Sequence, residues 1–323
     1  MEEIESKEND VFNGVEIGVG AWAWGDRIFW GFRQDYAEED IFGAFQASIE
    51  TGMVFFDTAE IYGQGQSEKF LGKFLKTTAV RTVVATKFMP FPWRLTGRAL
   101  LKALKSSLQR LDLPRVDLYQ IHMPLPPVKI ETWMAAMAEA SQAGTVGAIG
   151  VSNYDQSQTR RAFEALQHEG LRLASNQVEY HLLNRKIEKN GLLKQCQEMG
   201  VKVIAYSPLA QGVLTGKYSA ENPMRGFRGS KYNRKYLEQV KPLIQLMKKI
   251  GLDHDNKTIA QVALNWTICK GTLPIPGAKN ARQVQQNAGA LGWRLTPADV
   301  TQLDETSDLV LNVASTAGDR ASN

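Results

Sequence analysis

The chain has 323 residues, 43% hydrophobic and 22% charged, with a formal net charge of +4. That composition belongs to a globular protein with apolar residues enough for a large core, and it excludes a disordered, collagen-like or disulfide-framed chain. Cys196 and Cys269 lie far apart, outside any CxxC or metal-ligand spacing, so neither a disulfide nor a metal site is expected and a reducing cytoplasm is the expected compartment. The acidic start MEEIESKEND has no targeting character and no apolar run reaches spanning length, so no membrane association is expected.

Short apolar runs alternate with longer stretches of helical spacing. The predicted strands are residues 16–22, 54–57, 82–87, 116–122, 146–153, 174–180, 201–207 and 271–277. The first is followed by an aromatic loop, WGDRIFWGF, and then by EEDIFGAFQASIETG, a helical segment with Ile41, Phe45 and Ile49 on one face and Gly52 as its stop. Between the third and fourth strands, RALLKALKSSLQRLDL carries Leu101, Leu104, Leu108 and Leu111 in a stripe.

From Asp57, the strand-end landmarks Lys87, His122, Ser152, Gln177 and Tyr206 follow at intervals of 30, 35, 30, 25 and 29 residues. Such regularity without a Pro/Gly/Ser-rich linker predicts the α/β class, as one (β/α)8 TIM barrel over residues 15–312 between a flexible acidic tip (1–14) and a flexible tail (313–323). An open doubly wound sheet is the alternative, but its GxGxxG signature fails in GVGAWAWG, where Ala23 stands at the third glycine.

The long interval between Tyr206 and Pro276 contains Lys217, Arg225, Arg228, Lys231, Arg234 and Lys235 against one acid, Glu221. This is either a solvated basic loop or a lid over a small anionic ligand; nucleic acid, which needs a broader patch, is not an expected partner.

The chemistry concentrates at strand ends. In FFDTAEIYG an apolar strand ends on Asp57, a carboxylate that needs a partner at the rim of a buried sheet. In a barrel, Asp57, Lys87 and His122 all fall at the C-terminal face, where active sites are built. Pairing Asp57 with Lys87 puts an ammonium beside Tyr62, whose phenol ordinarily titrates near a pKa of about 10. A cation at roughly 4 Å and an effective dielectric near 20 contributes about 4 kcal/mol, less what Asp57 cancels, so Tyr62 is expected to be shifted down toward a usable general acid. His122 is expected to donate a hydrogen bond to the same substrate oxygen.

These residues resemble a known family. FFDTAEIYG is similar to the DTAxxYG signature of aldo-keto reductases, and ATK, QIHMP, GVSN, SNQVEYH, AYSPLAQG and PIPGAKN follow in that family's order. The resemblance implies a (β/α)8 fold and NADPH-dependent carbonyl reduction, with Tyr62 as acid/base, Asp57 and Lys87 tuning it, and His122 orienting the carbonyl. It also implies NADP as cofactor, with NADPH preferred over NADH. Trp22, Ser152, Asn153, Gln177 and Tyr206 would hold the nicotinamide end, and Ser207, Leu209, Gln211, Gly212 and Lys217 would pass along the pyrophosphate. Gly277, Lys279, Gln283, Gln286 and Asn287 would meet the adenosine end. Many relatives have glutamate where this chain has Gln286, and Arg282 is an alternative to Lys279 for the 2′-phosphate.

A small-molecule carbonyl substrate would lie among Trp24, Phe29, Trp30 and Phe32 after the first strand, Phe91 and Trp93 after the third, and Pro124 to Pro127 after the fourth. Large rings there favour aromatic or extended apolar aldehydes and ketones, or form a wall of loop against loop. Two other classes stay open: a cofactor-holding regulatory subunit, and a glycosidase using Glu60 and Glu179. The oligomeric state is left open.

Overall fold

The computed structural model describes residues 11–224 and 226–319. Residues 1–10 of the expected tip, Arg225 of the basic loop and residues 320–323 of the expected tail lie outside the described residues.

Eight strands form one sheet in chain order: β1 (Val19–Gly20), β2 (Phe55–Asp57), β3 (Val83–Phe88), β4 (Val116–Ile121), β5 (Val146–Ser152), β6 (Leu173–Glu179), β7 (Lys202–Tyr206) and β8 (Leu273–Ile275). Each pairs in parallel with the next. The ring closes where Gly20 bridges Gly277, and the amides of Gly18 and Gly20 donate to the carbonyls of Pro274 (2.9 Å) and Pro276 (3.1 Å). This is the predicted TIM barrel, although β1 and β8 are shorter than expected. Pro274 and Pro276 have no N–H to give, which limits this seam to bonds that β8 accepts.

Helices surround the barrel. In α1 (Glu38–Glu50) the first turn is acidic, which suits the positive end of a helix, and the Asp40 carboxylate accepts the Ala37 amide at 2.8 Å. After α2 (Gln66–Leu75), α3 (Gly97–Leu111) buries Leu100, Ala103, Leu104, Ser107 and Leu111. Its buried face is therefore centred a position away from the expected stripe, with Leu101 and Leu108 only half-buried. The final helix runs from Pro297 to Asp319, so the barrel boundary expected at residue 312 falls inside it.

Side chains that alternate along the strands fill the barrel in layers. Phe55, Ala85, Leu118, Ile204, Leu273 and Ile275 form an apolar layer, and Phe12, its ring centroid 6.0 Å from that of Phe55, joins it. Residues 11–14 thus belong to the fold and not to a flexible tip, because burying a phenylalanine against the barrel interior outweighs the freedom of a free end. Two residues further along the strands the inward positions turn polar: Asp57, Lys87, Gln120 and Gln177 are all buried. The site stands on that polar layer. Replacing Phe12 by Ala is expected to lower unfolding free energy by about 3 kcal/mol, as for other buried rings, in a urea titration.

Candidate active site

Asp57 is the hub. Its Oδ2 accepts Lys87 Nζ at 2.5 Å, and its Oδ1 accepts Gln177 Nε2 at 2.8 Å and Gln120 Nε2 at 3.2 Å. Lys87 Nζ also donates to the Thr58 carbonyl (2.8 Å) and reaches the Tyr62 hydroxyl at 3.4 Å. The Tyr62 ring meets that of His122 edge-on, 5.6 Å between centroids, so the structure brings the four predicted catalytic side chains to one mouth.

The chain is turned sharply to achieve this. Tyr62 opens a short 3-10 turn (Tyr62–Gly65) in which Gly63 and Gln64 have φ of 55° and 58°. A Cβ on Gly63 would stand 2.8 Å from the Gly25 carbonyl, so glycine lets the loop after β1 lie directly on the Tyr62 turn. Thr58 Oγ1 donates to Ser67 Oγ and Ser67 Oγ to the Ala21 carbonyl, both at 2.8 Å, tying the turn to β1. Behind it the buried Glu68 carboxylate accepts Thr86 Oγ1 and Arg110 Nε, each at 2.6 Å.

Burial, and secondarily the Asp57 charge, push the Tyr62 phenol well above its ordinary value. This reverses the expected direction. Lys87 is itself pulled down by burial and is neutralised by the carboxylate on its other side, so it does not outweigh desolvation. Burial, aided by the Lys87 charge, lowers His122 to about 3, and its Nδ1 is buried with no partner among the described residues. Tyr62 is thus a protonated phenol and His122 a neutral imidazole at neutral pH.

The ends of β5, β6 and β7 continue the network. Ser152 Oγ donates to the Gln177 carbonyl (2.8 Å), Asn153 Nδ2 to Ser152 Oγ and to the His122 carbonyl (both 3.0 Å), and Tyr206 OH to Asn153 Oδ1 (3.0 Å). Asn153, Ser207, Ala210 and Gln211 have φ between 48° and 61°, a region costly for residues with a side chain. Their concentration after β5 and β7 marks backbone held in place by its surroundings. Leu209, half-buried, gives its carbonyl to the amides of Gly212 (2.9 Å) and Leu214 (3.2 Å).

Further along, Lys279 Nζ donates to the Trp30 carbonyl at 2.7 Å and lies 5.1 Å from the Trp30 ring, while Arg228 meets the same ring at 5.1 Å. Burial, then the charge of Arg228 and more weakly that of Lys217, lower Lys279 to about 8, as expected where cations converge. Gln283 Oε1 is occupied by the Lys279 amide (2.8 Å), Gln286 and Arg282 are exposed, and Asn287 Nδ2 is buried without a partner among the described residues. Gly277, beside Gly20 at the barrel seam, would meet nothing closer than 3.8 Å with a Cβ added.

Two substrate expectations are corrected. Trp24 is fully buried, donates from Nε1 to the Ala278 carbonyl (2.9 Å) and packs on Phe56 and Phe74, so no face is free for a substrate. Phe32 is likewise core, against Phe70 and Tyr36. Trp22, Phe29 and Trp30 instead cluster beside Tyr62, with Trp22 and Phe29 stacked at 5.0 Å and Trp22 and Tyr62 at 6.1 Å. Trp93 is 73% exposed and stacks on Phe91 at 4.6 Å. Arg94 braces that loop by pairing with Glu60 at 2.5 Å. Glu60 is thereby occupied, and Glu179 is lowered to about 2 by the hydrogen bond from His181, the opposite of a glycosidase acid.

Gln120 was not foreseen. It sits inside VDLYQIH, an apolar run, and the only signal is a lone amide two residues before His122, which shares the strand's period.

The profile of the Aldo/keto reductase family matches residues 16–308, and the chain belongs to that family. It is 39% identical over 302 residues to pyridoxal reductase, chloroplastic, of Arabidopsis thaliana, covering 89% of this chain and 82% of that one. An aldo-keto reductase from Klebsiella pneumoniae in complex with NADPH matches with a TM-score of 0.70 at 29% identity, over 90% of each chain. A thermostable aldo-keto reductase in complex with the inhibitor epalrestat matches at 0.72 and 28%, over 90% of this chain and 94% of that one. The protein is an oxidoreductase of a family that works with NADP(H). No helix among the described residues is long and apolar enough to cross a membrane.

A buried neutral histidine makes stability depend on pH. The unfolded chain binds the His122 proton below pH 6.5 and the folded one only near 3, so stability decreases as the pH is lowered through that window, by up to about 1.4 kcal/mol per unit. Between pH 6 and 4.5, His122→Gln is expected to lose less unfolding free energy than the wild type in urea titrations.

Proposed function

We propose that the protein reduces aldehydes and ketones with NADPH, with Tyr62 giving the proton and aromatic or extended apolar carbonyl compounds as substrates. The observation that carries this is the Tyr62 hydroxyl 3.4 Å from a lysine ammonium that is itself held by a carboxylate. Bound NADPH supplies the hydride.

The chain's own groups account for the rest. The raised pKa of Tyr62 keeps it protonated until charge develops on the substrate oxygen, and Lys87 then stabilises the phenolate left behind. Neutral His122 orients the oxygen without competing as an acid. Ser152, Asn153 and Tyr206 would position the nicotinamide end. The cations Lys217, Arg228 and Lys279, with the donors Trp30 Nε1 and Asn287 Nδ2, which have no partner among the described residues, fit a ligand rich in phosphate and polar ring atoms and favour NADPH over NADH. The loop ring of Phe29 and the exposed face of Trp93 offer flat surfaces to an aromatic substrate, and pyridoxal, in the name of the Arabidopsis relative, is a heteroaromatic aldehyde. A cytoplasmic location remains part of the proposal.

With NADPH and a panel of aromatic aldehydes, Tyr62→Phe is expected to lower turnover roughly 100-fold or more while NADPH still binds. Equal slow rates in both proteins would favour a nucleotide-sensing role. The sign of the Tyr62 shift adds a pH test. Reduction needs the phenol and should be level from pH 6 to 8, whereas alcohol oxidation needs the phenolate and should rise with pH, approaching about tenfold per unit below the phenol pKa. Oxidation that is already level at pH 7 would contradict a raised pKa.

A further inference from the structure

Gln120 is completely buried at the centre of the barrel, and the mechanism above gives it no task. Its Nε2 donates to Asp57 Oδ1 at 3.2 Å and its Oε1 accepts from Gln177 Nε2 at 3.4 Å, while Gln177 Nε2 makes its second bond to Asp57 Oδ1 at 2.8 Å. A methionine would occupy similar volume without the cost of desolvating an amide. Space for the side chain is left by Gly150 on β5, where a Cβ would stand 2.9 Å from Gln120 Cγ and 2.4 Å from Ser175 Oγ.

These bonds decide which way the Gln177 amide faces. A primary amide has two N–H donors and one carbonyl acceptor. The Asp57 carboxylate and Gln120 Oε1 are both acceptors, so Gln177 turns its NH2 to them; the reversed amide would set its oxygen against a carboxylate. Gln177 Oε1 is left over, with no donor reaching it among the described residues.

We infer that Gln120 is a positioning residue, which fixes the polarity of Gln177 so that the site presents an acceptor matched to the N–H donors of a nicotinamide carboxamide. It also joins that amide to the carboxylate that holds Lys87, so cofactor recognition and the proton donor share one anchor. The inference rests on the NADPH reading above and deepens it.

The test is a double-mutant cycle on NADPH affinity, read by quenching of tryptophan fluorescence, with melting temperature as a check on folding. Gln120→Met is expected to weaken binding about tenfold, the scale of a lost hydrogen bond to a properly oriented partner. Gln177→Met should weaken it at least as much, and the double variant should be no worse than Gln177→Met alone, because Gln120 acts through Gln177. Losses that multiply, or Gln120→Met affinity within about twofold of wild type, would overturn the inference. If Gln120→Met does not fold, Gln120→Asn, one methylene too short to span both partners, carries the same expectations. A wild type that binds no NADPH overturns both readings; normal wild-type binding with an indifferent Gln120→Met overturns this one alone.

Discussion

A single buried carboxylate holds the mouth of this barrel together. Asp57 is 2% exposed and takes one ammonium and two amides on its two oxygens, from β3, β4 and β6. Far from water such a charge is tolerated only when it is paired and fully hydrogen-bonded, and removing one partner from a buried pair typically costs about 3–5 kcal/mol. The apolar layer on the Phe55 side and the polar layer around Asp57 are two steps of the same strand alternation. The fold that excludes water from the core is also what makes this carboxylate so demanding.

From that anchor two functions diverge. In the proposed reading Lys87 leads to Tyr62 and the proton, while Gln177 leads through Ser152 and Asn153 to Tyr206 and to the cofactor. In that reading the electrostatics favour reduction. Desolvation outweighs the lysine field at Tyr62, so the resting phenol keeps its proton and the free protein is poised as an acid. Beyond the network, Trp30 lies against both Arg228 and Lys279, so the aromatic loop after β1 touches the cations that, in the proposed reading, meet the cofactor phosphates.

Much of this was legible in the chain because barrel strands repeat. Polar residues at the ends of apolar runs, spaced by one βα unit, placed Asp57, Lys87 and His122 on one face, and the family resemblance added Gln177 and Tyr206. Where no period constrains the backbone, legibility fails. Trp24 and Trp30 share one irregular loop, and nothing in their neighbours tells which is core and which is at the mouth. Phe12 was hidden by the acidic residues before it. Gln120 was hidden by the apolar run around it. The sign of the Tyr62 shift depends on depth of burial and on the opposing Asp57 charge, and spacing along a chain does not give those magnitudes.

The most direct test of the shared anchor is Asp57→Asn, assayed for both NADPH affinity and aldehyde turnover at saturating cofactor. The side chain keeps its shape but loses the charge that holds Lys87 and both amides. Affinity and turnover are expected to fall together, each by about tenfold or more, the scale of charged hydrogen bonds lost in a buried site. A variant that loses one and keeps the other at the wild-type level would contradict the shared anchor.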